Sequence, residues 1–114
     1  MTVLIVDDHA DFRAFARRVL EAEGYDVVGE AGDGASAVAA TQALAPDVVL
    51  LDVHLPDLDG FFVCEQIARR AAVVMTSSRD AASLQGRLEV SSARGFIAKA
   101  ELSGAGIAAL TAPA

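Results

Sequence analysis

The feature that most narrows the fold is the run VVLLD at Val48 to Asp52, four aliphatic residues without a polar break and then an acid. A continuous apolar run of this length suits a strand covered on both faces, as in a parallel sheet between helix layers. The same pattern opens the chain, where TVLIVDD (Thr2 to Asp8) ends in two acids. A carboxylate at the edge of a core is costly unless it is paired, hydrogen-bonded or bound to a cation. Asp7, Asp8 and Asp52 therefore need an explanation beyond strand formation.

The remaining chain alternates with these strands. Phe12, Phe15, Ala16, Val19 and Leu20 recur at helical spacing, and Gly24 is placed to end that helix. YDVVGEA (Tyr25 to Ala31) predicts a second strand, and Asp33 a cap for a helix from Gly34 to Leu44 that Pro46 terminates. After the VVLLD strand, Pro56, Asp57, Asp59 and Gly60 supply loop chemistry. A helix from Phe61 to Arg70 follows, with Val63, Cys64 and Ile67 facing inward. AVVMTSS (Ala72 to Ser78) predicts a fourth strand, Asp80 the cap of a helix fading near Val90, and ARGFIAK (Ala93 to Lys99) a brief fifth strand. The tail predicts a weak last helix, because Gly104 and Gly106 each cost roughly 1 kcal/mol relative to alanine. Five alternations imply a single α/β domain over residues 1–114, a doubly wound parallel sheet with helices on both faces.

Such sheets bind ligands beyond the carboxyl ends of their strands. That edge collects Asp7 and Asp8, Asp52, Thr76 and Lys99, the chain's one lysine. Clustered carboxylates repel one another unless a cation intervenes, and hard oxygen ligands suit Mg²⁺. A carboxylate can also be a nucleophile and form an aspartyl phosphate, for which a metal, a lysine and a hydroxyl are a sufficient set.

Composition narrows the function classes. At 114 residues and 54% hydrophobic the chain can bury a real core, and a net charge of −7 argues against a phosphate-backbone binder. One cysteine, Cys64, excludes an internal disulfide. No apolar run reaches membrane-spanning length, and MTVLIVDDH lacks a signal-peptide pattern, so a cytoplasmic location is expected with neither membrane nor direct nucleic-acid contact.

The acidic pair Asp7–Asp8, the stretch DVHLPDLDG from Asp52, the hydroxyl of Thr76 in VVMTSS and Lys99 in GFIAK, in this order, resemble receiver domains of two-component response regulators over essentially the whole chain. The resemblance implies a flavodoxin-like (βα)5 sheet with strand order 2-1-3-4-5, as in chemotaxis receivers. It implies that Asp52 accepts a phosphoryl group from a histidine kinase, a phosphotransfer protein or a small phosphodonor. By the same resemblance Asp8, Asp52 and the backbone carbonyl of His54 hold Mg²⁺, with Asp7 acting through water. Lys99 would pair with phosphoryl oxygens, while Thr76 and Phe96 would switch the surface of the fourth helix, fifth strand and last helix. A phosphorylation-dependent homodimer is compatible with this, and the effector is left open. The domain would catalyse only its own phosphorylation and dephosphorylation, so it is not expected to be a conventional enzyme. The chain departs from the family at Ala100, where proline after a cis bond is usual; a trans bond is expected here.

Plainer readings accompany these. Asp57 and Asp59 read as turn formers, His9 as a surface residue beside the site, Cys64 as packing, and Ser77 as a rival to Thr76. An aspartate-nucleophile phosphohydrolase usually carries a second acid two residues on, where this chain has His54 and no room for a cap domain. A docking module without phosphorylation usually lacks one of the acids or the lysine, and here all are kept.

Overall fold

In the computed structural model, which describes residues 1–78 and 81–112, the chain forms strands β1 (Thr2–Val6), β2 (Asp26–Ala31), β3 (Val48–Asp52), β4 (Ala72–Ser77) and β5 (Gly95–Ala98). Between and after them run helices α1 (Ala10–Ala22), α2 (Gly34–Leu44), α3 (Gly60–Ile67), α4 (Gln85–Val90) and α5 (Gly104–Thr111). The strands form one parallel sheet in the order β2-β1-β3-β4-β5. This is the expected flavodoxin-like architecture.

The unbroken apolar runs have a direct structural cause. Successive strand side chains point to opposite faces, and both faces are covered. Leu4, Val6, Val49, Leu51, Val73 and Met75 pack with Ala37, Val63, Cys64 and Ile67 of α2 and α3. Val3, Ile5, Val48, Leu50, Val74 and Ile97 pack with Ala16, Leu20 and Ile107 of α1 and α5. A polar residue at positions 3–6 of β1 or 48–51 of β3 would enter one of these cores. Only at the last turn of each strand can an acid be accommodated.

Helix limits follow local chemistry. Asp33 caps α2 by accepting a hydrogen bond from Ser36 N at 2.7 Å, and α2 keeps the expected bounds Gly34–Leu44. Gly24, at φ +93°, takes the left-handed conformation just past α1 that glycine tolerates best. Several limits differ from expectation. The third helix starts at Gly60, because Asp59 accepts from Phe61 N, and it stops at Ile67 rather than Arg70. There the N–H groups of Arg70 and Ala71 both turn back to the Ile67 carbonyl, which aims the chain into β4. The fourth helix opens as a 3₁₀ turn (Ala81–Leu84) before α4; its expected cap, Asp80, lies outside the described residues. The second strand starts at Asp26, since Tyr25 N still bonds to Leu20 O. The fourth strand ends at Ser77. The fifth is only Gly95–Ala98, because Lys99 begins a second 3₁₀ turn. Phe15 is 43% exposed despite its spacing, whereas Ala16 and Leu20 carry the inner face of α1. No peptide bond among the described residues is cis, so the bond before Ala100 is trans as expected.

Candidate functional site

Two strands deliver the central acids. β1 and β3 are adjacent, and the residues at their carboxyl ends, Asp7 and Asp52, are 0% and 3% exposed. Asp8, one residue on, stays exposed. β3 and β4 pair so that Asp52 lies opposite Thr76, and strand alternation puts both on the α1/α5 side of the sheet. Ser77, also buried, falls on the opposite face. Register thus distinguishes the two hydroxyls that the sequence left as rivals.

Lys99 reaches the acids from the end of β5. Its Nζ lies 2.6 Å from Asp7 Oδ2 and 3.3 Å from Asp52 Oδ2. It also sits 4.7 Å from the centre of the Phe12 ring, a cation–π contact that fixes the ammonium from the α1 side. Burial alone would depress the Lys99 pKa, but the carboxylates of Asp7 and Asp52 outweigh it and hold the pKa above the ordinary lysine value. Burial pushes the Asp52 carboxyl up and the negative charge of Asp7 adds to this, while the N–H of His54 and the ammonium of Lys99 pull the other way.

The remaining contacts define an edge with unmet demands. Asp52 Oδ1 accepts from His54 N at 3.2 Å, and the His54 side chain is exposed. His54 forms an isolated bridge to Asp59, which closes the loop after β3. Among the described residues the buried Thr76 Oγ1 has no hydrogen-bond partner, and the buried Asp7 Oδ2 has only its ion pair with Lys99. Phe96 is half-buried, opposite Met75 in the sheet, and packs against the α2/α3 core. Asp7, Asp8, His9 and Asp52 bring one ligand atom each to within 4.8 Å of one another. Three carboxylates this close, two of them buried and only one lysine beside them, fit a small divalent cation such as Mg²⁺.

The structure gives sharper roles to residues that sequence reasoning treated as generic. Asp57 is more than a turn former: its carboxylate accepts from the N–H groups of Gly34 at 2.7 Å and Ala35 at 3.0 Å, tying the loop after β3 to the start of α2. Asp59 pairs with Arg87 of α4 at 2.7 Å, besides capping α3. Arg13 donates to the carbonyl of Asp7 at 2.6 Å and pairs with Glu30, bracing the end of β1. His9 stands 3.2 Å from Asp7 Oδ1 and 3.0 Å from Asp8 Oδ1, inside the acidic group rather than beside it. Its position directly after the two acids was the available signal. Cys64 is packing, as expected: it is fully buried, and burial pushes its thiol up to about 12.

Known proteins place this arrangement in context. The response regulator receiver domain family matches residues 3–110. The response regulator UvrY of Escherichia coli is 38% identical over 103 residues, covering 87% of this chain and 47% of UvrY. The transcriptional regulatory protein PdtaR of Mycobacterium tuberculosis is 36% identical over 99 residues, covering 85% of this chain and 48% of PdtaR. The chain thus spans about half the length of the curated relatives it matches. Among solved structures, the signal receiver domain of NarL from M. tuberculosis superposes with a TM-score of 0.83 at 33% identity, over 98% of this chain and 97% of that one. From sheet order, acidic edge and family match together, the chain belongs to the response regulator receiver domains of two-component systems.

Proposed function

We propose that Asp52 is the phosphoacceptor of this receiver, and that Asp8, Asp52 and the backbone carbonyl of His54 hold Mg²⁺ with Asp7 acting through water. One observation carries the reading: a lysine ammonium lies between two buried carboxylates, one of which, Asp52, is in register with a buried hydroxyl that has no hydrogen-bond partner among the described residues. In the reaction a carboxylate oxygen of Asp52 attacks the phosphorus of a phosphohistidine. The O–P bond forms as the N–P bond breaks, and the imidazole leaves with the electron pair and takes up a proton. Bound Mg²⁺ supplies neutralisation of the charge on the phosphoryl oxygens. Lys99 holds one of those oxygens, and Thr76 donates its hydroxyl to another. Phe96 then repacks against the core, and the α4-β5-α5 surface changes its population of states.

The donor is a sensor histidine kinase or a phosphotransfer protein, and the effector or output is a separate surface or domain, engaged in the cytoplasm; phosphorylation-dependent pairing of two receivers is one form it can take. The domain is not a conventional enzyme, since the chemistry begins and ends on its own side chain. Incubation with a small phosphodonor and Mg²⁺ is expected to add one phosphate, read by intact mass. Undiminished incorporation in Asp52→Asn, or with excess chelator, overturns the assignment.

A further inference from the structure

The acidic edge carries a nitrogen that the phosphoacceptor reading does not use. His9 Nδ1 is 3.0 Å from Asp8 Oδ1 and 3.2 Å from Asp7 Oδ1. Two ligand atoms on adjacent corners of an octahedron with bonds of about 2.1 Å are separated by about 3.0 Å, and atoms on opposite corners by about 4.2 Å. The four atoms from Asp7, Asp8, His9 and Asp52 lie within 4.8 Å of one another, so an ion held by Asp8 and Asp52, with Asp7 behind a water, has His9 Nδ1 within reach. Asp7 is fully buried; its Oδ2 pairs with Lys99 at 2.6 Å, which leaves Oδ1 as the oxygen turned toward His9.

His9 has no competing structural duty. It is the residue before the first turn of α1, yet its side chain makes no capping hydrogen bond, and the ring is 69% exposed. Its backbone N–H, which does bond to Asp7 Oδ1 at 2.8 Å, is independent of side-chain identity. Among the described residues the imidazole Nδ1 contacts only the carboxylates of Asp7 and Asp8, the groups that would face a bound ion.

We propose that His9 is a direct ligand of the receiver's metal site, and that it shifts the site's preference from Mg²⁺ toward first-row ions that accept imidazole. This rests on the carboxylate site described above. Oxygen-only sites suit Mg²⁺ and Mn²⁺, whereas one imidazole favours Ni²⁺ and its neighbours, which already bind more tightly by the Irving–Williams order. In a cell, such a site takes its ion according to which metal is available.

The test is calorimetric titration of tag-free protein with Mg²⁺ and with Ni²⁺, for wild type, His9→Gln, His54→Gln and Asp8→Asn. The d–d absorption of bound Ni²⁺ provides a second readout. The expected result is that His9→Gln loses about tenfold or more in Ni²⁺ affinity and shifts the absorption, while its Mg²⁺ affinity changes less than about twofold. His54→Gln should leave both ions unaffected, and Asp8→Asn should weaken both. Equal losses for the two ions in His9→Gln, or no loss for either, overturn the proposal. So does retention of Ni²⁺ affinity in Asp8→Asn, because the imidazole would then be binding away from the acids. A failure of phosphate incorporation at Asp52 would overturn the phosphoacceptor reading and leave this metal comparison standing.

Discussion

Asp52 and Asp57 belong to one short stretch, DVHLPD, and the fold treats them in opposite ways. Asp52 ends a buried strand, where burial and the charge of Asp7 raise its pKa. Asp57 is exposed, and the N–H groups of Gly34 and Ala35 at the start of α2 hold its carboxyl below the usual range. One carboxylate has its negative charge met by backbone donors and is chemically quiet. The other is stranded beside a second acid, with one lysine shared between them. On the proposed assignment, a phosphoacceptor acid is recognised by what its surroundings fail to supply, and a structural acid by what they supply in full.

The largest expected effect comes from Gly60, which seats the loop between these two acids. Its N–H donates to Val53 O at 2.8 Å, and a Cβ at this position would collide with the Asp52 carbonyl oxygen and stand 2.7 Å from Val53 Cα. These neighbours are backbone and cannot swing aside. Gly60→Ala is expected to lose about 2–3 kcal/mol in urea unfolding, the upper part of the usual overpacking range. It should also slow phosphorylation, since the displaced atoms belong to the end of β3. A stable Gly60→Ala protein with normal phosphorylation would show that the loop, rather than the strand end, absorbs the strain.

The contrast between the two acids predicts opposite signs for their removal. A raised folded-state pKa means that Asp52 favours folding below its unfolded value, and that this is lost as pH rises through the folded value. At neutral pH, with chelator present, the Asp52 charge is a net cost. Asp52→Asn should then be more stable than wild type by on the order of 1 kcal/mol, and the gain should vanish as pH falls below the ordinary aspartate value of 3.8. Asp57 has a lowered pKa, so its contribution is present above 3.8 and is lost as pH falls through the folded value. Asp57→Asn should be less stable than wild type at neutral pH, with the difference closing in acid, and phosphate incorporation should be retained. Thermal melts from pH 3 to pH 8 would decide this, and like signs for the two variants would break the comparison.

The same contrast explains what could be read without coordinates. Features set by neighbours in the chain were legible: the apolar runs gave the sheet, and Asp33 with Pro46 fixed α2 at both ends. The order of acids, hydroxyl and lysine marked the strand ends that converge. Features set by distant partners were not. Asp57 looked like a turn residue because the donors it satisfies lie 22 and 23 residues earlier. Ser77 stayed a rival to the favoured Thr76 until strand register put Thr76 opposite Asp52. Phe15 has the spacing of a core residue, yet α1 meets the sheet through Ala16 and Leu20, so its ring stays outside.

The smallest effect should be read at Lys99. It is the only lysine in the chain, so an amine-acylating reagent can label just Lys99 and the Met1 amine. Only the neutral amine reacts. Burial favours that form, but Asp7 and Asp52 raise the pKa and keep Lys99 charged. In Asp52→Asn one of the two acids is gone, so the neutral fraction at a fixed pH should rise. Asp7, at 2.6 Å, is the nearer partner and remains, which limits the gain. A rise of about two- to fivefold in labelling rate is expected, against the tenfold that a full pKa unit would give. Met1, 55% exposed and at the opposite end of β1 from Asp7, serves as the internal reference. Asp57→Asn should leave the Lys99 rate unchanged, because that carboxylate engages α2 instead of the lysine. If both variants change the rate equally, the two acids are electrostatically coupled through the loop, and the division between a reactive and a structural carboxylate fails.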